Sequence, residues 1–288
     1  MIDTVTLDWR FGRLELPAAD HYIRQAVAVT GEYSGAEIDL YQALLRPGDV
    51  ALDIGANVGI FSIAMGLAVG PTGRVLAFEP QPSIFPLLQR NLAGHGLSQA
   101  EAERAILSDA EGEGEFVDLH SPPIGRAVNY GSLSIASRTF ASYGGMASTP
   151  IRTVDGLALT RCDFIKVDVE GAEGLVLRGA AGTIGRCRPI LSVECDRPQL
   201  VAPAIGALTA AGYRLWRFRG ANMRTPNPKG APIDDYGRIS TLMLLSVPEH
   251  RLQTLDRANL ASLQPVENRA DFERLSAGIV KDRPDRPV

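Results

Sequence analysis

The run Val50-Ala51-Leu52-Asp53-Ile54 is apolar but for one carboxylate and enters a glycine turn, Gly55-Ala56-Asn57-Val58-Gly59. An apolar stretch of helix-forming length, Ile60 to Val69, follows and is stopped by Gly70-Pro71-Thr72-Gly73. A second short apolar run, Arg74 to Phe78, then closes on Glu79-Pro80. Strand, glycine turn, helix, turn and strand in this order make a βαβ unit, whose strands are parallel and joined by a right-handed crossover. Ligands of such sheets bind beyond the carboxyl ends of the strands, so the turn and Glu79 fall where a nucleoside cofactor would lie. The turn reads D-x-G-x-N-x-G. Asn57 stands where a pyrophosphate-binding turn needs its middle glycine for close backbone approach. A carboxylate such as Asp53 suits an ammonium instead. The pattern therefore favours S-adenosylmethionine over NAD, with Asp53, Gly55, Asn57 and Gly59 around its amino acid end. Glu79, an acceptor-only carboxylate ending the next strand, suits a pair of ribose hydroxyls.

The alternation continues along the chain. Leu87, Leu88, Asn91 and Leu92 recur at helical spacing before Gly94-His95-Gly96. Further strands are expected at Glu103 to Leu107, Phe164 to Val169, Ile190 to Glu194, Tyr213 to Phe218 and Thr241 to Ser246, with helices near 172–186 and 199–211. This predicts an α/β fold built on a doubly wound, mostly parallel, seven-stranded sheet. No helix separates the last two strands, so a terminal antiparallel hairpin is expected. Residues 1–36 read as an N-terminal extension, 37–248 as the main domain, and 249–288 as a helical tail in which Leu252, Leu255, Leu260 and Leu263 recur. Segments 118–150 and 220–238 are too long for ordinary connections and read as lids over the strand ends.

Composition narrows the class. A net charge of −4 over 288 residues argues against a basic footprint for nucleic acid. Cys162, Cys187 and Cys195 show neither disulfide nor zinc spacing. The N-terminal residues carry no targeting pattern, and no apolar run is long enough for a membrane span. A soluble, cytoplasmic protein is expected.

Acids end the strands. Asp53, Glu79, Asp109, Asp168 and Glu194 are each placed at or just after a strand's carboxyl end, so five carboxylates are expected to converge on one edge of the sheet. Ser108-Asp109 suits the adenine ring, although the same run also makes a turn. Asp168 is expected on the cleft floor beside the transferred methyl, with Glu170 and Glu173 in a first helical turn, where acids meet the helix dipole favourably. His120 is an alternative proton acceptor. Arg214, Arg217, Arg219, Arg224, Lys229 and Arg238 make a local positive excess, which reads either as a solvated strand face or as a grip on a phosphate-bearing substrate.

Asp53-Ile54-Gly55-Ala56-Asn57-Val58-Gly59, Ala77-Phe78-Glu79-Pro80, Leu107-Ser108-Asp109 and Ile165-Lys166-Val167-Asp168-Val169-Glu170-Gly171-Ala172-Glu173 together resemble the FkbM family of S-adenosylmethionine-dependent methyltransferases. The resemblance runs from about Gly31 to Glu194. Gly31-Glu32-Tyr33 followed by Glu37 is similar to the family's lead-in, while Ser34 and Gly35 depart from its more usual acidic pattern. The resemblance implies a class I methyltransferase (Rossmann-like) fold and adds Glu37, Ala56 and Pro80 to the cofactor-binding residues. It also implies O-methylation of a hydroxyl on a sugar, glycan, polyketide or other small molecule, with S-adenosyl-L-homocysteine as product. Asp168 or Glu194 is expected to accept or orient the acceptor's proton, with Glu170 in reserve. No metal is expected to be required, although related sugar methyltransferases use a divalent cation. N-methylation of a small amine, a non-catalytic cofactor-binding scaffold, and a homodimer stay open.

Overall fold

Runs as largely apolar on both faces as Val50–Ile54 and Ile190–Glu194 are buried on both sides, and they form the middle of the main sheet. The computed structural model describes residues 2–119, 130, 145–233, 240–257 and 263–276. In chain order its elements are β1 (Thr4–Trp9), β2 (Gly12–Pro17), α1 (Ile23–Thr30), α2 (Gly35–Leu44), β3 (Val50–Ile54), α3 (Ile60–Val69), β4 (Arg74–Phe78), α4 (Phe85–Gly94), β5 (Ala100–Glu103), β6 (Ile106–Leu107) and β7 (Gly112–Val117). There follow β8 (Met146–Arg152), β9 (Phe164–Val167), α5 (Glu173–Gly179), α6 (Ala181–Cys187), β10 (Ile190–Glu194), α7 (Pro198–Ala210), β11 (Tyr213–Ala221), β12 (Ser240–Pro248), β13 (Leu263–Val266) and α8 (Arg269–Ser276).

The main sheet runs β13-β11-β12-β10-β9-β3-β4-β5. From β5 to β10 all neighbours are parallel. β12 is antiparallel to both β10 and β11, and β13 is antiparallel to β11. The chain winds outward from β3 through β4 to β5, returns to β9 and winds the other way, so the strand order switches between β3 and β9. That is where ligands of open α/β sheets bind. The class I methyltransferase order is present with its terminal hairpin, and an eighth strand, β13, is added at the edge by the tail.

Alternation along the strands sorts the core into two layers. Ala51, Val75, Ala77, Phe164 and Ile190 pack with α2, α3, α4 and the β1–β2 hairpin. Leu52, Ile54, Leu76, Phe78, Ile165, Val167, Leu191 and Val193 pack with α5, α7 and α8.

Several expectations need correction. The strand expected over Glu103 to Leu107 is two strands, because the chain leaves the main sheet after Glu103 and β6 joins a smaller sheet ordered β6-β8-β7. The helix near 172–186 divides at Ala180 into α5 and α6, and Glu170 lies before it. The tail holds a 3-10 turn, β13 and α8 in place of continuous helix. Of segment 118–150, most lies outside the described residues, as does His120. The described part of the second long segment lies against the α1–α2 joint, where Ser34 N–H donates to Asn222 O at 2.8 Å and Lys229 N–H to Thr30 O at 3.2 Å. Among the described residues no helix is long and apolar enough to cross a membrane.

Candidate active site

The turn after β3 needs three left-handed residues within five positions: Gly55 at φ +84°, Asn57 at +50° and Gly59 at +95°. Glycine and asparagine are the residues that tolerate this region best. At Gly55 space matters as much as φ, since a Cβ there would lie 1.8 Å from the carbonyl oxygen of Asp168. The glycine thus lets the ends of β3 and β9 close on each other at the switch point. The N–H groups of Gly55 and Ala56 donate to Phe78 O at 3.0 and 2.9 Å, and that of Asn57 donates to Glu79 Oε2 at 2.8 Å. The turn is therefore fastened to the end of β4.

Beneath it runs a buried polar row. Asp53, Lys166 and Ser192 are register partners on three adjacent strands, so their side chains share one face. Asp53 is wholly buried; its Oδ2 accepts from Ser62 Oγ at 2.6 Å and its Oδ1 from Lys166 Nζ at 3.0 Å. Lys166 also donates to Gly55 O at 3.1 Å and lies 3.7 Å from Asp168 Oδ2. Burial alone would pull the lysine pKa down, but Asp53, Asp168 and Glu37 outweigh it and hold the ammonium above its usual range. Asp53 consequently supports the turn from below through Lys166 and Ser62.

Asp168, Glu170 and Glu194 bring one oxygen each to within 4.8 Å of one another. Asp168 and Glu194 interact side chain to side chain within this cluster. Burial raises both pKa values; Asp168, Glu170 and Asp196 push Glu194 further up, whereas Lys166 draws Asp168 back down. Of the two, Glu194 is the harder to ionise, and Lys166 favours the charged form of Asp168. The side chain of Asp168 is 26% exposed, so the cluster opens to solvent through it. Glu170, at φ +53°, pairs with Arg197 Nη1 at 3.1 Å. Glu173 accepts from Gly171 N–H at 2.9 Å and Val169 N–H at 3.3 Å, so it fastens the loop before α5 and does not cap the helix. The three clustered oxygens are the described carboxylates spaced to take a divalent cation, yet Lys166 and Arg197 already offset part of their charge.

Glu79 is buried at the end of β4, and its oxygens accept from the N–H groups of Asn57 and Gln81, each at 2.8 Å. Burial pushes its pKa up to about 7. Pro80 follows directly. Glu37, on α2, accepts from Ser34 Oγ at 3.1 Å and from the Tyr41 hydroxyl, which lies 2.9 Å from Ser192 Oγ. Burial lifts its pKa to about 7 as well.

The expected convergence of five acids does not include Asp109. Its carboxylate accepts from Arg178 at 2.9 Å on the surface beside the smaller sheet. Ser108 donates to Asp109 at 3.3 Å, and its carbonyl oxygen would lie 2.0 Å from a Cβ at Gly179. The basic stretch is largely engaged within the protein. Arg224 binds Glu32 and Asp39, Arg217 donates to Leu275 O, Arg219 to Ser240, and Lys229 to the carbonyls of Val27 and Ala28. Arg238 lies outside the described residues. Sequence reasoning passed over Lys166 and Arg197. The signal for Lys166 was available: a lone lysine inside Phe164-Ile165-Lys166-Val167 must be buried and must find a carboxylate.

The family model of the methyltransferase FkbM domain matches residues 53–215. The methyltransferase sdnD of Sordaria araneosa is 31% identical over 197 residues, covering 58% of this chain and 74% of that protein. The 31-O-demethyl-FK506 methyltransferase FkbM of Streptomyces tacrolimicus is 40% identical over 68 residues, covering 24% of this chain and 25% of that protein. Among solved structures, the methyltransferase FkbM from Methylobacillus flagellatus KT aligns with a TM-score of 0.44 at 18% identity, covering 77% of this chain and 50% of that one. The family match spans the turn, Glu79, the acid cluster and the switch point, and the chain belongs to the FkbM family of methyltransferases.

Proposed function

We propose that the chain transfers a methyl group from S-adenosylmethionine to a hydroxyl of a small molecule, with sugar and secondary-metabolite alcohols as the acceptor class. The observation that carries the reading is Asp168, a partly exposed carboxyl group beside the turn, 3.7 Å from the Lys166 ammonium and clustered with Glu194. S-adenosylmethionine, when bound, supplies an electrophilic methyl on a sulfonium sulfur. The residues present fit it. Glu79 still has lone pairs to offer ribose hydroxyls after accepting its two backbone N–H groups, and Gly55, Ala56, Asn57 and Gly59 form the bend beside it. The turn offers a pyrophosphate no comparable cradle, because Asn57 stands at the position where a glycine would let the backbone approach it closely.

Asp168 orients the acceptor hydroxyl and takes its proton as the new oxygen–carbon bond forms. Glu194 keeps Asp168 aimed, and Glu170 is tethered by Arg197. Orientation is the larger contribution: well-placed reactants gain the equivalent of about 7–11 kcal/mol, against about 10²–10⁴-fold from the base. An oxygen acceptor agrees with the FK506 relative, whose name specifies an O-demethyl substrate. We read the chemistry as metal-independent, since Lys166 and Arg197 already offset part of the cluster's charge.

The test is transfer of labelled methyl from S-adenosylmethionine to a panel of sugar, polyketide and amine acceptors, with and without chelator. Asp168→Asn and Glu194→Gln should lower kcat by about 10²–10⁴-fold while leaving cofactor affinity near wild type. Undiminished kcat in both variants would remove the assignment, and transfer only to amines would replace the acceptor class.

A further inference from the structure

The polar groups of the cofactor turn are fastened from three sides, and one side has no counterpart in the motif that defines it. Phe78 O and Glu79 hold its first N–H groups, Lys166 holds Gly55 O, and the carbonyl of Val58 accepts from Asn91 Nδ2 at 2.8 Å. Asn91 is buried on α4, and the rest of its amide is committed to the N-terminal hairpin: Oδ1 accepts from Glu15 N–H at 2.8 Å and Nδ2 donates to Glu15 O at 2.9 Å. These partners fix the amide's orientation, since a reversed amide would set its oxygen against two carbonyls. Asn91 thus completes β2 as a strand neighbour would and ties it to the turn.

The geometry points to Asn91 as a positioning residue for the cofactor. Through it the hairpin β1–β2, which lies outside the segment matched by the family model, braces Val58 and so holds the left-handed bend over Asn57 in its binding shape. The hairpin is itself well anchored. Leu14 and Leu16 are buried in the core, Arg90 pairs with Glu15 at 2.7 Å, and Trp9 Nε1 donates to His95 Nε2 at 3.2 Å. Removing the Asn91 amide would leave Val58 O buried without this donor and free the bend to relax. The cost would appear as weaker cofactor binding, beyond any loss of stability.

This inference rests on the proposal that the turn binds S-adenosylmethionine, and one titration separates the two. Wild type, Asn91→Leu and Thr183→Val are titrated calorimetrically with S-adenosylhomocysteine, well below each variant's Tm. Thr183→Val cuts the buried bond from Thr183 Oγ1 to Asp155, remote from both the hairpin and the turn, and serves as the stability control. Asn91→Leu should weaken binding by about tenfold or more, while Thr183→Val lowers Tm and leaves Kd unchanged. Should Asn91→Leu fail to fold, Asn91→Asp, which keeps the shape and the acceptor for Glu15 N–H but loses both donors, carries the same expectation. Wild-type Kd in a folded Asn91 variant overturns the positioning role alone. Absence of binding by the wild type overturns the cofactor reading.

Discussion

Replacing Lys166 by methionine would test the buried polar row most directly. The ammonium is 1% exposed and the Asp53 carboxylate paired with it wholly buried, so no water can replace the lost partner. In Lys166→Met, Asp53 keeps only the Ser62 hydroxyl, Gly55 O loses a donor, and Asp168 and Glu37 lose their nearest cation. Breaking a buried pair from one side typically costs about 3–5 kcal/mol, a large share of the ~5–15 kcal/mol that holds a folded protein together. At ~2–3 °C per kcal/mol for a chain of this length, the Tm should fall by about 6–15 °C. Neutralising both partners, Lys166→Met with Asp53→Asn, removes the stranded charge and should recover much of the loss, because the cost lies in an uncompensated ion. Urea unfolding of wild type, both single variants and the double variant gives the coupling energy directly. A single variant within about 1 kcal/mol of wild type, or a double variant no more stable than Lys166→Met, would refute the argument.

Other expectations follow from the same contacts. Gly55→Ala places a Cβ 1.8 Å from Asp168 O at a φ of +84°, so the ends of β3 and β9 must part; a loss above about 4 kcal/mol is expected, and an unchanged Tm would count against the close approach. Glu37 and Glu79 have pKa values raised by burial from 4.5 to about 7. The native state therefore binds protons that the unfolded chain releases; this stabilisation is complete below about pH 4.5 and is lost as pH rises through about 7. Urea unfolding of the ligand-free protein should show stability falling from pH 5.5 to 8, by up to ~2 kcal/mol per group, and Glu79→Gln should flatten that slope. In chelator, methyl transfer should proceed at the untreated rate; restoration only by an added divalent cation would make Asp168, Glu170 and Glu194 its ligands.

The fold was legible where terminators flank a single strong pattern. Ile60–Val69, Arg74–Phe78 and Ile190–Glu194 run between the expected limits because glycine, proline or a charged residue ends each. The run Ala100 to Leu107 misled because its hydrophobic and polar residues continue in strand-like order through Arg104, although the chain changes sheet there. Asp109 was misplaced in consequence. Register explains what else was hidden. Asp53 reads as a ligand for a cofactor only until Lys166, far along the chain, is found opposite it in the neighbouring strand. Asn91 was visible as one of four residues at helical spacing, but its polarity at an otherwise apolar position acquires meaning only when Glu15 and Val58 arrive from other elements.

The acids around the switch point differ less in type than in what already occupies them, and this difference separates support from chemistry. Asp53 is neutralised by Lys166, Glu170 by Arg197, and Glu173 by backbone N–H groups. Glu37 is closed off by Ser34 and Tyr41. Glu79 is anchored by two backbone donors at the end of β4, a geometry suited to fixed hydrogen bonding. Glu194 is buried and is harder to ionise than Asp168. A proton acceptor for an alcohol must be ionised, must reach the incoming hydroxyl, and must not be locked in a full set of bonds. Among these acids Asp168 is the one that is partly exposed, drawn toward the ionised form by Lys166 and not locked in a full set of bonds. Its ionisation depends on Lys166, whose other contacts are Asp53 and the carbonyl of Gly55. The same buried ammonium thus supports the turn and sustains the charge on Asp168, so cofactor placement and proton removal cannot be tuned independently at that position.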